Sequence, residues 1–104
     1  MSNTFQLGDA QVDEARLAEL CVRYHVRKLS VFGSVARYAM RVDSDVDLLV
    51  EFVPGAKVDL VDYAGLMLDL TRLAGRKVDL VSKKGLKPLI RESVLSEARL
   101  LYAA

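Results

Sequence analysis

Asp45 and Asp47 stand two residues apart in Ser44-Asp45-Val46-Asp47-Leu48-Leu49-Val50. The apolar/acidic alternation that runs into a continuous apolar stretch is the pattern of a strand buried on both faces. In such a strand both carboxylates project from one face, about 6–7 Å apart at their Cα atoms, while Val46 and Leu48 point to the other. Two like charges so placed repel each other unless a cation relieves them, and they converge on ions of the kind held ~3.5–4 Å apart in two-metal sites. Mg²⁺ suits best, because it is bound through one or two carboxylates plus substrate phosphates and keeps some of its waters.

Asp79 lies in the middle of Lys77-Val78-Asp79-Leu80-Val81, where an unpaired carboxylate in an apolar strand is costly. If its strand neighbours that of Asp47, it becomes a third carboxylate, either a metal ligand or the base that takes a proton from an acceptor hydroxyl. The plainer alternative is an ion pair with Lys77, two residues away on the same face. Gly33-Ser34 follows another short apolar run. A turn there aims backbone N–H groups and the Ser34 hydroxyl at an anion, helped by the positive end of a following helix. Alone, Gly-Ser is an ordinary turn or cap. Followed by ten residues and Asp-x-Asp, at this chain's own residue frequencies, it arises by chance on the order of a few times in a thousand.

The elements that must position these residues can be read in order. Residues 11–23 have helical apolar spacing, with Asp9 or Asp13 near the start. Residues 27–32 form a strand that stops at Gly33-Ser34, and residues 35–40 have room for one or two helical turns. Residues 45–53 form the strongest strand, ended by Pro54-Gly55. Residues 58–74 form an amphipathic helix that Gly75 stops, residues 77–82 a further strand, and residues 88–98 a last helix with Pro88 in its first turn. Strand, long helix, strand implies a right-handed crossover. The expected fold is α/β (α+β): a small mixed sheet of three or more strands with helices mainly on one face.

The chain has 104 residues, 52% of them hydrophobic and 28% charged, with Lys+Arg 15 against Asp+Glu 14. That fits one folded domain, residues 1–104, and neither a disordered tail nor a basic nucleic-acid arm. No base-reading motif is present, so no direct DNA binding is expected. The first ten residues lack the basic and apolar regions of a leader, and no apolar run is long enough to span a bilayer. The single cysteine, Cys21, reads as a buried thiol on an apolar helix face, and the expected compartment is the cytoplasm. His25 has no second ligand at metal spacing. Lys83, Lys84 and Lys87 read as solvated surface, or as a patch facing a triphosphate or an RNA.

Val31-Phe32-Gly33-Ser34-Val35-Ala36-Arg37, then Ser44-Asp45-Val46-Asp47-Leu48-Leu49-Val50, resembles the signature of the DNA polymerase β-like nucleotidyltransferase superfamily. Val78-Asp79-Leu80-Val81 and Lys87-Pro88-Leu89-Ile90-Arg91-Glu92-Ser93-Val94-Leu95 resemble its minimal nucleotidyltransferase branch, over a core of about residues 26–98. The resemblance implies ATP as substrate, its phosphates at Gly33 and Ser34, with two Mg²⁺ held by Asp45 and Asp47 and Asp79 as third carboxylate; Arg37 reads either as a further phosphate contact or as a solvated, ion-paired side chain. It further implies an antitoxin that transfers AMP to a tyrosine of a HEPN-domain ribonuclease toxin, alone or in a homo- or hetero-oligomer. This chain departs from the family in having Tyr38 where Gly often follows the Ala-Arg pair. Two other readings compete: an antitoxin that neutralises its partner by binding alone, and a nucleotidyltransferase for a small molecule or RNA. Three carboxylates that repel without metal favour the enzyme.

Overall fold

A computed structural model of the chain describes residues 3–7, 10–33 and 45–104. Strands β1 (Thr4–Leu7) and β2 (Ala10–Asp13) pair antiparallel, with Phe5 opposite Val12. They are followed by helix α1 (Glu14–Arg23) and strands β3 (Val26–Phe32) and β4 (Val46–Phe52). Helix α2 (Leu60–Ala74), strand β5 (Val78–Ser82), a 3-10 turn (Lys83–Gly85), helix α3 (Pro88–Glu97) and strand β6 (Arg99–Ala103) complete the order. The main sheet has four strands in the order β5-β4-β3-β6, parallel only between β4 and β5. It is the mixed sheet that the strand-helix-strand pattern implied.

Each helix is delimited by local chemistry. The Asp13 side chain accepts from the backbone N–H of Ala15 at 2.9 Å and of Arg16 at 3.4 Å, capping α1. This cap also explains why α1 starts later than residue 11. An N-cap has extended backbone, and residues 10–13 use that conformation to pair with β1 and bury Val12. At α2, Asp62 N–H donates to Asp59 Oδ1 at 2.8 Å and Asp59 N–H to Asp62 Oδ2 at 3.3 Å, a reciprocal capping box. Gly75 ends α2 in the left-handed region at φ +67°, where its N–H reaches the Thr71 carbonyl at 3.0 Å.

One face of the sheet forms the core. Leu29, Val31, Val46, Leu48, Val50, Val78 and Leu80 pack with Leu17 and Cys21 of α1 and Leu66, Leu70 and Ala74 of α2. Leu66, Leu70 and Ala74 recur every fourth residue, the spacing of one helix stripe. Tyr24 ties the end of α1 to α2 by donating to Asp69 Oδ2 at 2.6 Å. Helix α3 buries none of its residues and leaves Leu89 96% exposed.

Helix α2 also closes one edge of the sheet. In a strand, residues i and i+2 present their backbone groups to the same side, so when Asp79 faces β4, Val78 and Leu80 face outward. Val78 N–H donates to Thr71 Oγ1 at 3.2 Å, and the Tyr63 hydroxyl donates to the Leu80 carbonyl. The exposed edge of β5 thus finds its partners on α2.

Candidate active site

The sheet register brings the two strand aspartates together. Asp47 pairs with Phe32 across the β3–β4 ladder and with Asp79 across the parallel β4–β5 ladder. Val46, Leu48, Val78 and Leu80 occupy the core face. Alternation therefore places Asp47 and Asp79 side by side on the opposite, open face. Asp45, two residues before Asp47 and just ahead of β4, belongs to the same side; Val46 N–H donates to the Lys77 carbonyl at 2.9 Å and fixes the strand start.

Gly33 follows directly on Phe32 with φ +73°. A Cβ at this position would lie 3.3 Å from Asp47 Cγ and closer still to Oδ2. The Asp47 carboxylate therefore occupies the volume that any side chain at residue 33 would need. Glycine serves twice here, by tolerating positive φ and by leaving room for the carboxylate.

Lys77 is a counterion for Asp45, with Nζ 3.9 Å from Oδ2, in place of the alternative pair with Asp79. Both side chains are well exposed, at 79% and 46%. Such a pair contributes about 0–1 kcal/mol, so a cation or phosphate can displace it at little cost. Asp79 is felt by Tyr63: burial, and then the negative charge of Asp79, push the Tyr63 hydroxyl above its ordinary pKa. Tyr63 and Thr71, which hold the outer edge of β5, became visible only with the structure, since neither is part of a motif, whereas Lys77 was legible as a counterion but for Asp79 and not for Asp45.

Ser34 and Arg37, together with Tyr38 and Ser44, lie outside the described residues. His25 sits at the far end of β3, exposed, with its carbonyl accepting from Val53 N–H at 2.8 Å, and takes no part in the aspartate group. Cys21 is a buried free thiol within the core. Among the described residues, no group of three or more His, Cys, Asp and Glu is arranged to hold a metal ion by itself. Two carboxylates on one face, with room kept clear by Gly33, fit the hard-oxygen requirement of Mg²⁺, which completes its shell from substrate phosphates and water. No helix of the described residues is long and apolar enough to cross a membrane.

The nucleotidyltransferase domain family matches residues 15–101. The chain is 42% identical to the protein adenylyltransferase MntA of Thermococcus cleftensis, over 80% of this chain and 82% of that one. It is 32% identical to a candidate protein adenylyltransferase of Methanocaldococcus jannaschii, over 80% of this chain and 87% of the relative. A solved structure of a candidate minimal nucleotidyltransferase superposes with a TM-score of 0.71 at 48% identity, covering 83% of this chain and 86% of that chain. A toxin–antitoxin structure with AMP-PNP shares the fold at 19% identity, TM-score 0.70, over 88% of this chain and 73% of that chain. A core matched from α1 to β6, with aspartates in register on neighbouring strands, places this chain in the nucleotidyltransferase domain family, among the minimal nucleotidyltransferases.

Proposed function

We propose that this chain transfers AMP from ATP to a tyrosine hydroxyl of a HEPN-domain ribonuclease toxin, and so acts as the antitoxin of the pair. The observation that carries the reading is the pairing of Asp47 with Asp79 over a glycine that makes room for the carboxylate. Relatives support the acceptor class. The 42% identical chain of Thermococcus cleftensis is a protein adenylyltransferase, and a fold neighbour at 18% identity was solved as an antitoxin with a tri-AMPylated HEPN toxin.

In this reading Asp45 and Asp47 hold two Mg²⁺, and Gly33 and Ser34 take the triphosphate, with Arg37 adding positive charge. Bound magnesium supplies neutralisation of phosphate charge. Asp79 accepts the hydroxyl proton or joins the metal set, and the tyrosine oxygen attacks the α-phosphorus in line, releasing pyrophosphate. Catalysis is then mostly positioning and charge stabilisation. The reaction belongs in the cytoplasm, where ATP and ribonuclease targets are found.

The test is the intact mass of the partner protein after incubation with this chain, ATP and Mg²⁺, with Asp45→Asn in parallel. A gain of one or more AMP units with the unaltered chain alone supports the proposal. A stable, inhibited complex with no mass gain would replace it with neutralisation by binding.

A further inference from the structure

Helix α3 crosses the face of the sheet that carries the aspartates. Strand β5 is parallel to β4, and β6 is parallel to both, because the steps from β4 to β3 and from β3 to β6 each reverse direction. In the order β5-β4-β3-β6, helix α2 leads from β4 outward to β5, whereas α3 leads back across the sheet from β5 to β6. Right-handed crossovers that run in opposite directions lie on opposite faces. With α2 on the core face, α3 therefore lies on the open one. Two observations agree. Arg91 of α3 lines the same cavity as Glu51, which shares the face of Asp47, and Leu49 on that face is only 6% exposed although it is outside the main core.

The last turn of α3 ends beside the aspartates. Arg99, the first residue of β6, pairs with Val31, which pairs with Leu48, the neighbour of Asp47. From β6 to β4 is two strand spacings, about 10 Å. Half-buried Val94 and Ala98 mark the inner side of α3. Around the rest of it Leu89, Ile90 and Leu95 are exposed, and Leu100, just past its end, is 60% exposed. This cluster, unlike a single exposed leucine, marks an interaction surface. At the start of the helix Lys84, Lys87 and Arg91 form a basic margin with no carboxylate partner among the described residues.

We propose that the outer side of α3, with Leu100, is the docking surface for the protein that carries the accepting hydroxyl, which meets it with an apolar patch edged by carboxylates. The inference rests on the transferase reading above and adds the place where the acceptor binds. A standard protein interface covers about 800 Å² of each partner, the area of a disc of about 16 Å radius. An acceptor that brings a hydroxyl to Asp79 thus also covers α3, about 10 Å away. A small-molecule acceptor covers far less and leaves the leucines in water. A second copy of this chain brings cations rather than carboxylates to the basic margin, and like charges disfavour that contact.

The experiment measures binding of the HEPN-domain toxin by calorimetry without ATP, comparing the unaltered chain with Leu89→Glu, Lys87→Glu and Asp45→Asn. Leu89 and Lys87 are exposed, and the Lys87 side chain makes no cap hydrogen bond, so melts matching the unaltered chain are expected. Kd should rise about tenfold or more in Leu89→Glu and in Lys87→Glu, and stay the same in Asp45→Asn. In initial-rate measurements the two surface variants should raise KM for the toxin and keep both kcat and the half-saturating ATP concentration. Unchanged Kd in either of them overturns the docking surface. A fall in kcat at unchanged Kd overturns it too and makes α3 part of the catalytic frame. So does a dimer of the unaltered chain that Leu89→Glu dissolves while toxin affinity is kept. AMP transfer that continues with Kd and KM unmoved in both variants overturns this inference alone. Weakened binding in both, with no transfer by any chain, supports it and overturns only the transferase reading.

Discussion

The carboxylate of Asp47 fills the space that a side chain at Gly33 would need, 3.3 Å from the position of the missing Cβ to Cγ. A glycine and a strand aspartate are thereby coupled: residue 33 cannot gain a side chain while Asp47 keeps its place. Gly33→Ala should lower transfer about a hundredfold through the displaced carboxylate, and destabilise by about 1–2 kcal/mol through its positive φ. Gly75→Ala is the control. It has φ +67° but nothing within 4 Å of its Cβ, so melting temperature should fall while kcat is kept. Equal kcat losses in the two variants would contradict the coupling.

In the proposed reaction, the exposed pair of Lys77 with Asp45 gives way to magnesium or phosphate. Lys77→Ala should change stability by less than about 1 kcal/mol and leave kcat within reach of the unaltered value, since the pair is solvent-screened. It should also lower the Mg²⁺ concentration giving half-maximal rate, because Asp45 no longer has to exchange a counterion. Asp45→Asn and Asp79→Asn, in contrast, should each cost about a thousandfold in kcat with little change in melting temperature. Magnesium titrations of initial rate for all three variants check this.

The edge of β5 gives a stability test away from the chemistry. Tyr63→Phe removes the hydroxyl that donates to the Leu80 carbonyl but keeps the ring that lies 6.4 Å from Phe52. Thr71→Val removes the acceptor of Val78 N–H. Each should cost about 1 kcal/mol in urea unfolding, and the Val78 and Leu80 region should lose hydrogen-exchange protection ahead of β3. No change in either variant would mean that water replaces α2 at this edge.

The parts of the fold read from sequence share a cause. The strands now described as β3, β4 and β5 are apolar runs bounded by Gly, Pro or charge, and α2 is closed by Gly75 at one end and a capping box at the other. Their patterns are local, so they are legible. β1, β2 and β6 were missed because each is a strand of four or five residues whose evidence lies in its partner: Val12 is buried by pairing with Phe5, and Leu29 finds Tyr102 from the far end of the chain. The Asp-x-Asp spacing pointed to the site, and the strand-helix-strand order left the neighbourhood of Asp47 and Asp79 as a condition that the β4–β5 register meets. The partner of Lys77 was not legible in this way. Its position depends on where β4 starts, which the Val46 to Lys77 hydrogen bond fixes.

Cys21 makes the fold sensitive to alkali. Burial pushes its thiol from an ordinary 9.0 up to about 12, and burial together with the charge of Asp79 raises Tyr63 in the same direction. In the unfolded chain these groups ionise near their ordinary values, while in the folded chain they stay neutral to higher pH. The unfolded state therefore loses protons first, and the stabilisation present below about pH 9 declines as pH rises toward 12. Cys21 alone can impose a slope of at most about 1.4 kcal/mol per pH unit in that window. Urea midpoints at pH 7, 9 and 10.5 should fall for the unaltered chain and fall less steeply for Cys21→Ala, which starts lower because it leaves a small cavity. The same burial should keep Cys21 unreactive toward a thiol reagent at pH 8 until urea unfolds the chain, and rapid labelling of the folded protein would place the thiol outside the core.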